Sequence, residues 1–389
     1  MMTFRRKALP GLVLASLFAA GASQAVTLGT AEETTVTYGG FVKLDAIMSD
    51  YSDGDLSAGN LGRDFYVPSL TPVGGANESS HFDMHARQTR LNLGTSTMID
   101  GVALKTFIEM DFMSSATNAD ERITNGYSPG VRHAFITYGN WLFGQTWSTF
   151  QNTNSLPDTV DFVGNTDFGI FVRQPQIRYS NGGWQFSIEN PESTITPFGG
   201  GTRIVSDDNS LPDIVGRYNL TSGGLTMSFA ILARQLNYDN GSNIDTKTSS
   251  TGISITGKAM LGKDDIRFGF NAGKGLGRYI GLNVVNGGVL DANGDLETID
   301  SKAVYVAYRH LWNDKWRSTF TYSAIAIDND VALTGASAIE STNSARVNFL
   351  YAATPKLTYG LELTRANKDL ESNADGSMTR VQFMAKLDF

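Results

Sequence analysis

The last residues of the chain alternate in polarity. Val381, Phe383, Ala385, Leu387 and Phe389 stand against Arg380, Gln382, Lys386 and Asp388. A strand with period two sends the first set to one face and the second to the other, so this segment belongs between an apolar medium and water. A terminal aromatic such as Phe389 is typical of strands that close outer-membrane barrels. The pattern recurs: Leu225, Met227, Phe229 and Ile231 alternate with Thr226, Ser228 and Ala230, and Leu357, Tyr359, Leu361 and Leu363 with Thr358, Gly360, Glu362 and Thr364. Repetition, more than any single segment, predicts a membrane-spanning sheet.

Read this way, the chain holds sixteen candidate strands. They run over Thr35–Met48, Phe82–Thr95, Val102–Phe112, Val131–Tyr138, Trp141–Trp147, Val172–Tyr179, Trp184–Asn190, Pro212–Asn219, Leu225–Leu236, Thr251–Met260, Ile266–Gly273, Ser301–Arg309, Trp316–Ala324, Ser344–Tyr351, Leu357–Arg365 and Met378–Phe389. Connections alternate between short turns such as Ile99-Asp100-Gly101 and Asn181-Gly182-Gly183 and long polar stretches, the first being Ser49–His81. Short periplasmic turns, long extracellular loops and an even strand count are the pattern of an outer-membrane barrel. Four tryptophans, Trp141, Trp184, Trp312 and Trp316, flank the short turns with Tyr138, Tyr179, Tyr218 and Tyr359, as expected of an aromatic girdle at the headgroups. The fold class expected is therefore all-β, a 16-stranded antiparallel transmembrane barrel.

The N-terminus reads differently. Arg5, Arg6 and Lys7 precede an apolar run from Ala8 to Ala22 and the small residues Ser23-Gln24-Ala25. This is a secretory signal, cleaved after Ala25. The expected organisation is signal peptide 1–25, a short periplasmic segment 26–34, and the barrel 35–389. With 41 Gly, 10 Pro, 22 Phe and 14 Tyr the composition suits strands and turns. The net charge of −8, more acidic once the signal cations leave, disfavours nucleic acid as a partner.

On the parity opposite the apolar one lie Lys43, Asp45, Arg90, Lys105, Glu109, Asp111, Arg132, Arg178, Glu189, Asp213, Arg217, Lys258, Arg267, Arg309, Arg317, Arg346, Arg380 and Lys386. Cations dominate this set although the whole chain is acidic. A lumen so lined concentrates anions, and arginine adds bidentate recognition of carboxylates. Arg87 is out of step, sharing its parity with Leu91 and Leu93; a β-bulge or an interface between barrels would accommodate it. The third long loop, Ser148–Phe171, mixes Phe150, Phe162, Phe168 and Phe171 with Asp158, Asp161 and Asp167. A loop this apolar is expected to fold into the barrel, narrowing the pore and setting Asp158 and Asp161 across from the arginines.

Several motifs resemble the DcaP-like outer-membrane porins: Tyr38-Gly-Gly-Phe-Val-Lys-Leu-Asp45, His85-Ala-Arg-Gln-Thr-Arg-Leu91, Leu104–Phe112, Arg132-His-Ala-Phe135, Phe143–Phe150, Leu156–Phe162, Val172–Tyr179 and Glu189-Asn-Pro-Glu192. The likeness covers most of Tyr38–Glu192 and loosens from Leu211 onward. It implies a homotrimer of sixteen-stranded barrels admitting small anions, dicarboxylates among them, and embedded in outer-membrane lipid and lipopolysaccharide. It also implies that the strand ending Gln-Thr-Trp-Ser-Thr-Phe leads into the inward-folded loop. A longer N-terminal helical segment found in some members has no counterpart in Val26–Glu33, which is too short for one.

The function expected is passive diffusion of small hydrophilic solutes with a preference for anions. The residues expected to line the constriction are Arg90, Lys105, Arg132, Arg178 and Arg217, Arg173 from the resemblance, Glu109 and Asp111 on the same wall, and Asp158 and Asp161 on the loop. No cofactor, metal or catalytic residue is expected. The four histidines, His81, His85, His133 and His310, show no triad spacing, and no Gly-x-Ser-x-Gly elbow occurs. Asp291-Ala-Asn293-Gly-Asp295 begins like a calcium loop, but Leu296 and Lys302 stand where Gly and Glu are needed. The competing reading is a barrel for anchoring or adhesion, with the long loops as its working part.

Overall fold

An alternating strand has one apolar face for lipid, but its backbone N–H and C=O groups must still be paired there, which only a closed sheet achieves. The computed structural model, which describes residues 26–31, 34–113 and 123–389, has such closure. We number the barrel strands β1 (Thr34–Tyr51), β2 (Ser79–His85 continued by Arg90–Ile99), β3 (Val102–Asp111), β4 (Gly130–Tyr138), β5 (Trp141–Trp147), β6 (Arg173–Asn181), β7 (Trp184–Glu189) and β8 (Asp213–Ser222). The second half comprises β9 (Leu225–Asp239), β10 (Asp245–Leu261), β11 (Asp264–Lys274), β12 (Asp300–Leu311), β13 (Trp316–Asp328), β14 (Ile339–Ala352), β15 (Leu357–Leu370) and β16 (Asp375–Asp388). Each pairs antiparallel with its sequence neighbours, and β1 pairs with β16 from Phe41↔Asp388 to Tyr51↔Met378. The expected sixteen-stranded antiparallel barrel is the fold.

The seam is finished by the C-terminal residue, whose amide donates to the Gly40 carbonyl at 3.1 Å. Gly40 has a φ of 147°, and a Cβ there would meet the Arg90 carbonyl oxygen at 2.1 Å, so this close strand approach requires glycine. Residues Val26–Ala31 pair antiparallel with the start of β1, Val26 opposite Tyr38. The signal segment 1–25 lies outside the described residues. At the Ile99–Val102 turn Asp100 and Gly101 both have positive φ, 50° and 79°, the backbone a two-residue hairpin needs.

Apolar side chains such as Leu44, Leu93, Phe186, Ile231, Leu361 and Phe383 are exposed around the outside. At the rim of the short turns Trp141 packs against Tyr179 at 5.0 Å between ring centres and Trp184 against Tyr218 at 4.6 Å, both tilted, and Trp316 stacks on Tyr351 at 4.6 Å. The strands run further than expected on the opposite side. β9 and β10 are joined by 240–244 and β15 and β16 by 371–374, so two connections expected to be long are tight turns. The long connections 190–212 and 275–299 contribute Ser193–Thr196, Ile204–Ser206, Gly288–Leu290 and Leu296–Thr298 to a separate four-stranded sheet, which includes the parallel pair Ile195↔Gly288.

Not every inward position faces water. Val215, Leu232, Ala303, Tyr305 and Ile325 point inward, yet they form a buried apolar core with Phe150, Phe168 and Ile170 of the third loop and Leu276, Tyr279 and Ile280 of the sixth. This corrects the expectation of a wholly polar interior. Period two separates two faces but does not say whether the inner one meets water or a folded-in loop.

Candidate functional site

The third connection, residues 148–172, folds into the barrel as expected and lies against the inner wall as a belt. Its backbone and side chains meet strands around the barrel. The Gln151 carbonyl accepts from Arg217 of β8, and the Asn152 amide donates to Thr256 of β10 at 2.9 Å. The Ser155 carbonyl accepts from Tyr305 of β12 at 2.6 Å, and that of Leu156 from Arg267 of β11. Beyond these, Asn348 of β14 donates to the Asp158 carbonyl at 2.8 Å, and Lys43 of β1 to that of Val160 at 2.7 Å. The Val160 amide donates to Glu362 of β15 at 2.9 Å. Phe150 and Phe168 are buried, so the loop's aromatics do what their composition requires.

Further along, Asp167 is fully buried and takes hydrogen bonds from Tyr66 at 2.8 Å, Ser323 at 2.8 Å, Thr342 at 2.7 Å and Ser344 at 2.5 Å. Tyr66 belongs to the first connection, so loops one and three share this anchor. Burial first, and then the charge of Asp167, push the Tyr66 hydroxyl well above its ordinary range.

The two loop acids are engaged on the far wall. Asp158 binds Arg317 of β13 at 2.5 Å and stays partly exposed. Asp161 is buried and lies 3.5 Å from Arg346 of β14; the backbone N–H groups of Tyr66, Val163 and Gly164 also donate to it. Burial alone would raise the Asp161 carboxyl, but Arg346 and Arg380, with the Tyr66 and Val163 amides, outweigh it and hold it below the ordinary carboxylate range. The expectation that Asp161 projects a field across the pore therefore gives way to a structural role, since a carboxylate so enclosed is neutralised locally.

On the other wall, Arg132 binds Glu109 at 2.9 Å and Asp111 at 2.5 Å, and Arg90 approaches the same two carboxylates at 3.5 and 3.9 Å. Arg132 and its neighbour His133 are both buried because the β3–β4 register shifts between Glu109 and Met110, a bulge that turns consecutive side chains inward. Arg178 donates to Gln176 at 3.0 Å and to the Trp147 carbonyl, and Arg217 to Gln185 and the Gln151 carbonyl. Neither Arg178, Arg217 nor Lys105 forms an ion pair among the described residues. Arg173 lies beside this group but is held differently. It shares the strand side of the exposed Ile177, and its guanidinium lies between the rings of Trp147 and Phe171 at 4.7 and 4.8 Å. Cation–π contact, not a wall carboxylate, holds it.

Arg87 is explained by a break in β2. The register passes from Asp45↔His85 to Phe41↔Arg90, one residue longer on β2, so the parity resets there. The buried Arg87 then meets Asp64 of the first connection at 2.5 Å.

A second charged group, placed on the lumen side by parity, converges on one acid. Lys258 of β10, Arg267 of β11 and Arg309 of β12 lie 3.8, 2.7 and 2.5 Å from the single carboxylate of Asp265. Register brings them together, since Lys258↔Arg267 and Asp265↔Arg309 are partners across neighbouring strands.

Accessibility differs among these charges. Asp265, Asp111 and Glu189 are at most 1% exposed, whereas the side chains of Lys258, Arg309 and Arg317 keep 28%, 23% and 27% of their surface. At β10–β13 the acid sits in the wall and the cations keep surface toward the lumen, whereas Arg132, Arg178, Arg346 and Arg380 are buried like the acids; Asp158 is the partly exposed acid on the loop. Among the described residues no group of His, Asp and Glu could hold a metal ion.

The family described as DcaP outer membrane protein matches residues 21–389. The outer membrane channel DcaP of Acinetobacter baumannii superposes with a TM-score of 0.76 at 24% identity, covering 93% of this chain and 99% of that one. OmpT, an outer membrane protein of Vibrio cholerae, gives 0.55 at 13% identity over 93% and 99%. OmpF of Salmonella typhi gives 0.51 at 11% over 90% and 98%. No curated protein sequence matches the chain. A closed sixteen-stranded barrel with a loop folded inside it, matched by this family over nearly its whole length, belongs to the DcaP outer-membrane proteins and is a porin of the Gram-negative outer membrane.

Proposed function

We propose that the chain forms a passive, anion-preferring channel for small hydrophilic solutes, dicarboxylates among them. The observation that carries this reading is the uneven accessibility of charge on β10–β13: the Asp265 carboxylate is sunk into the wall while Lys258, Arg309 and Arg317 keep about a quarter of their side-chain surface. Ions of opposite sign to the reachable charge are concentrated in a low-dielectric passage, and like-signed ions are depleted. Arg90, Lys105, Arg178 and Arg217 would supply the positive wall, with Arg132 holding Glu109 and Asp111 in place and Arg173 steadying the loop base. Asp158, the exposed loop acid, would give dipolar solutes an orientation, and Asp161 would keep the loop seated. Nothing in this mechanism requires a covalent step or a cofactor.

Assembly as a homotrimer in lipid and lipopolysaccharide belongs to the same proposal, as does release of residues 1–25 before insertion. OmpT of Vibrio cholerae, a protein of similar fold, has a trimer form.

The test is the zero-current potential of the purified protein in a planar bilayer across a tenfold salt gradient. A potential of the sign for anion permeation is expected, with current blocked by an added dicarboxylate. A cation-selective pore would overturn the charge preference and assign control to Asp158. A folded, heat-modifiable barrel with no conductance would return the anchoring reading.

A further inference from the structure

We infer that the lumen holds a second, separate oxyanion site near its periplasmic mouth, formed by Lys258, Arg267 and Arg309 with Arg317 beside them. This inference rests on the anion-preferring reading and adds a location and a direction to it. Three cations converge on Asp265, a carboxylate with no exposed surface. One buried negative charge cannot neutralise three positive ones, so the cluster presents net positive charge to the lumen. Its donors are not exhausted. The Arg309 Nε atom is buried without a hydrogen-bond partner, and Lys258 and Arg309 keep 28% and 23% of their side-chain surface. A guanidinium that keeps part of its surface, flanked by an ammonium, suits a carboxylate or phosphate group.

Its position makes it distinct from the wall of Arg90 and Arg132. Arg309 and Arg317 flank the Trp312–Lys315 turn, and Lys258 and Arg267 flank the turn between Leu261 and Asp264, so all four stand beside short, periplasmic turns. The third loop touches this cluster from above through the Leu156 carbonyl on Arg267 and Asp158 on Arg317. A solute that has passed the loop would therefore meet these cations last. Set against Arg90 and Arg132, which lie farther from the short turns, this cluster makes the channel asymmetric along its axis, with the site loaded most readily from the periplasmic side.

Inorganic phosphate tests this in single-channel recordings. The chain has no cysteine, so Asn313→Cys on a periplasmic turn, labelled by a membrane-impermeant thiol reagent from one chamber, reports orientation. Phosphate added on the periplasmic side is expected to reduce the current at lower concentration than phosphate added outside. In the double variant Lys258→Gln/Arg309→Gln the pair Arg267–Asp265 survives, so the barrel keeps its wall. Periplasmic block is then expected to weaken about tenfold, as loss of charged hydrogen bonds does. Arg309→Lys, which keeps the charge, is expected to retain most of the block and to fold if the double variant does not. An anion-selective wild type with equal block from both sides, or with block unchanged in the double variant, would overturn the exit site and leave the proposed function intact. A wild type without anion selectivity would overturn the reading beneath it.

Discussion

The two sides of the lumen are built from the same side chains and spend them differently. On β2–β4, Arg90 and Arg132 face two carboxylates, Glu109 and Asp111, so charge is nearly balanced and the guanidinium groups are held in the wall. On β10–β12 three cations share one acid and keep more of their surface. A third arrangement, Arg346 between Asp161 and Glu362 at 3.5 Å each, is buried entirely and serves the loop. An arginine in a barrel therefore has no fixed meaning. The ratio of cations to buried acids, and the surface left over, separate selectivity from architecture.

The largest effect is expected where burial is deepest. Arg346→Ala would take from the buried Asp161 and Glu362 the arginine that ion-pairs with both, at a cost of about 3–5 kcal/mol. Cleavage within residues 148–172 by an added protease, set against the intact wild type, is the measurement; an uncut loop would show that the hydrogen bonds to Asp167 suffice. Next comes the balanced wall. Arg132→Ala with Arg178→Ala takes from Glu109 and Asp111 their closest cation and leaves Arg90 at 3.5 and 3.9 Å, so the zero-current potential is expected to fall steeply toward the cation side while the barrel keeps its heat-modifiable migration. An unchanged potential would move the selectivity to β10–β12.

A milder effect concerns acid. Because the folded-state carboxyl of Asp161 is held low, its contribution to seating the loop is fully present above the ordinary carboxylate pKa of about 3.9 and is lost only as pH falls through the lower folded value. Conductance is thus expected to be steady from neutrality to about pH 4 and to become noisy below that. Noise beginning near pH 6 would point to another group. The smallest effect is expected at Lys105, which pairs with no carboxylate among the described residues; Lys105→Gln should shift the potential slightly and leave the loop seated.

Much of the architecture was legible because period two is a strong code. Each candidate strand has a counterpart, and the loop's aromatics announced its inward fold. The code fails where geometry departs from one residue per step. The extra residue before Arg90 redirects Arg87, and the shift at Glu109 buries Arg132 and His133 together. It is also silent about contacts between loops distant in sequence, such as Ile195 with Gly288. The convergence of Lys258, Arg267 and Arg309 on Asp265 required register, which polarity alone does not supply.

The seam between β1 and β16 bears on how the barrel forms in time. All other neighbouring barrel strands are adjacent in sequence, so each hairpin can zip as soon as both its strands exist. The closing contacts join residues more than 300 positions apart, as when Arg380 donates to Ser49 across a separation of 331. Such contacts carry the greatest loop-closure entropy and are made slowly. Until they form, β1 and β16 are open edges able to pair with another chain. The β1–β16 seam is thus the one line along which the barrel must close last if its hairpins form in sequence order.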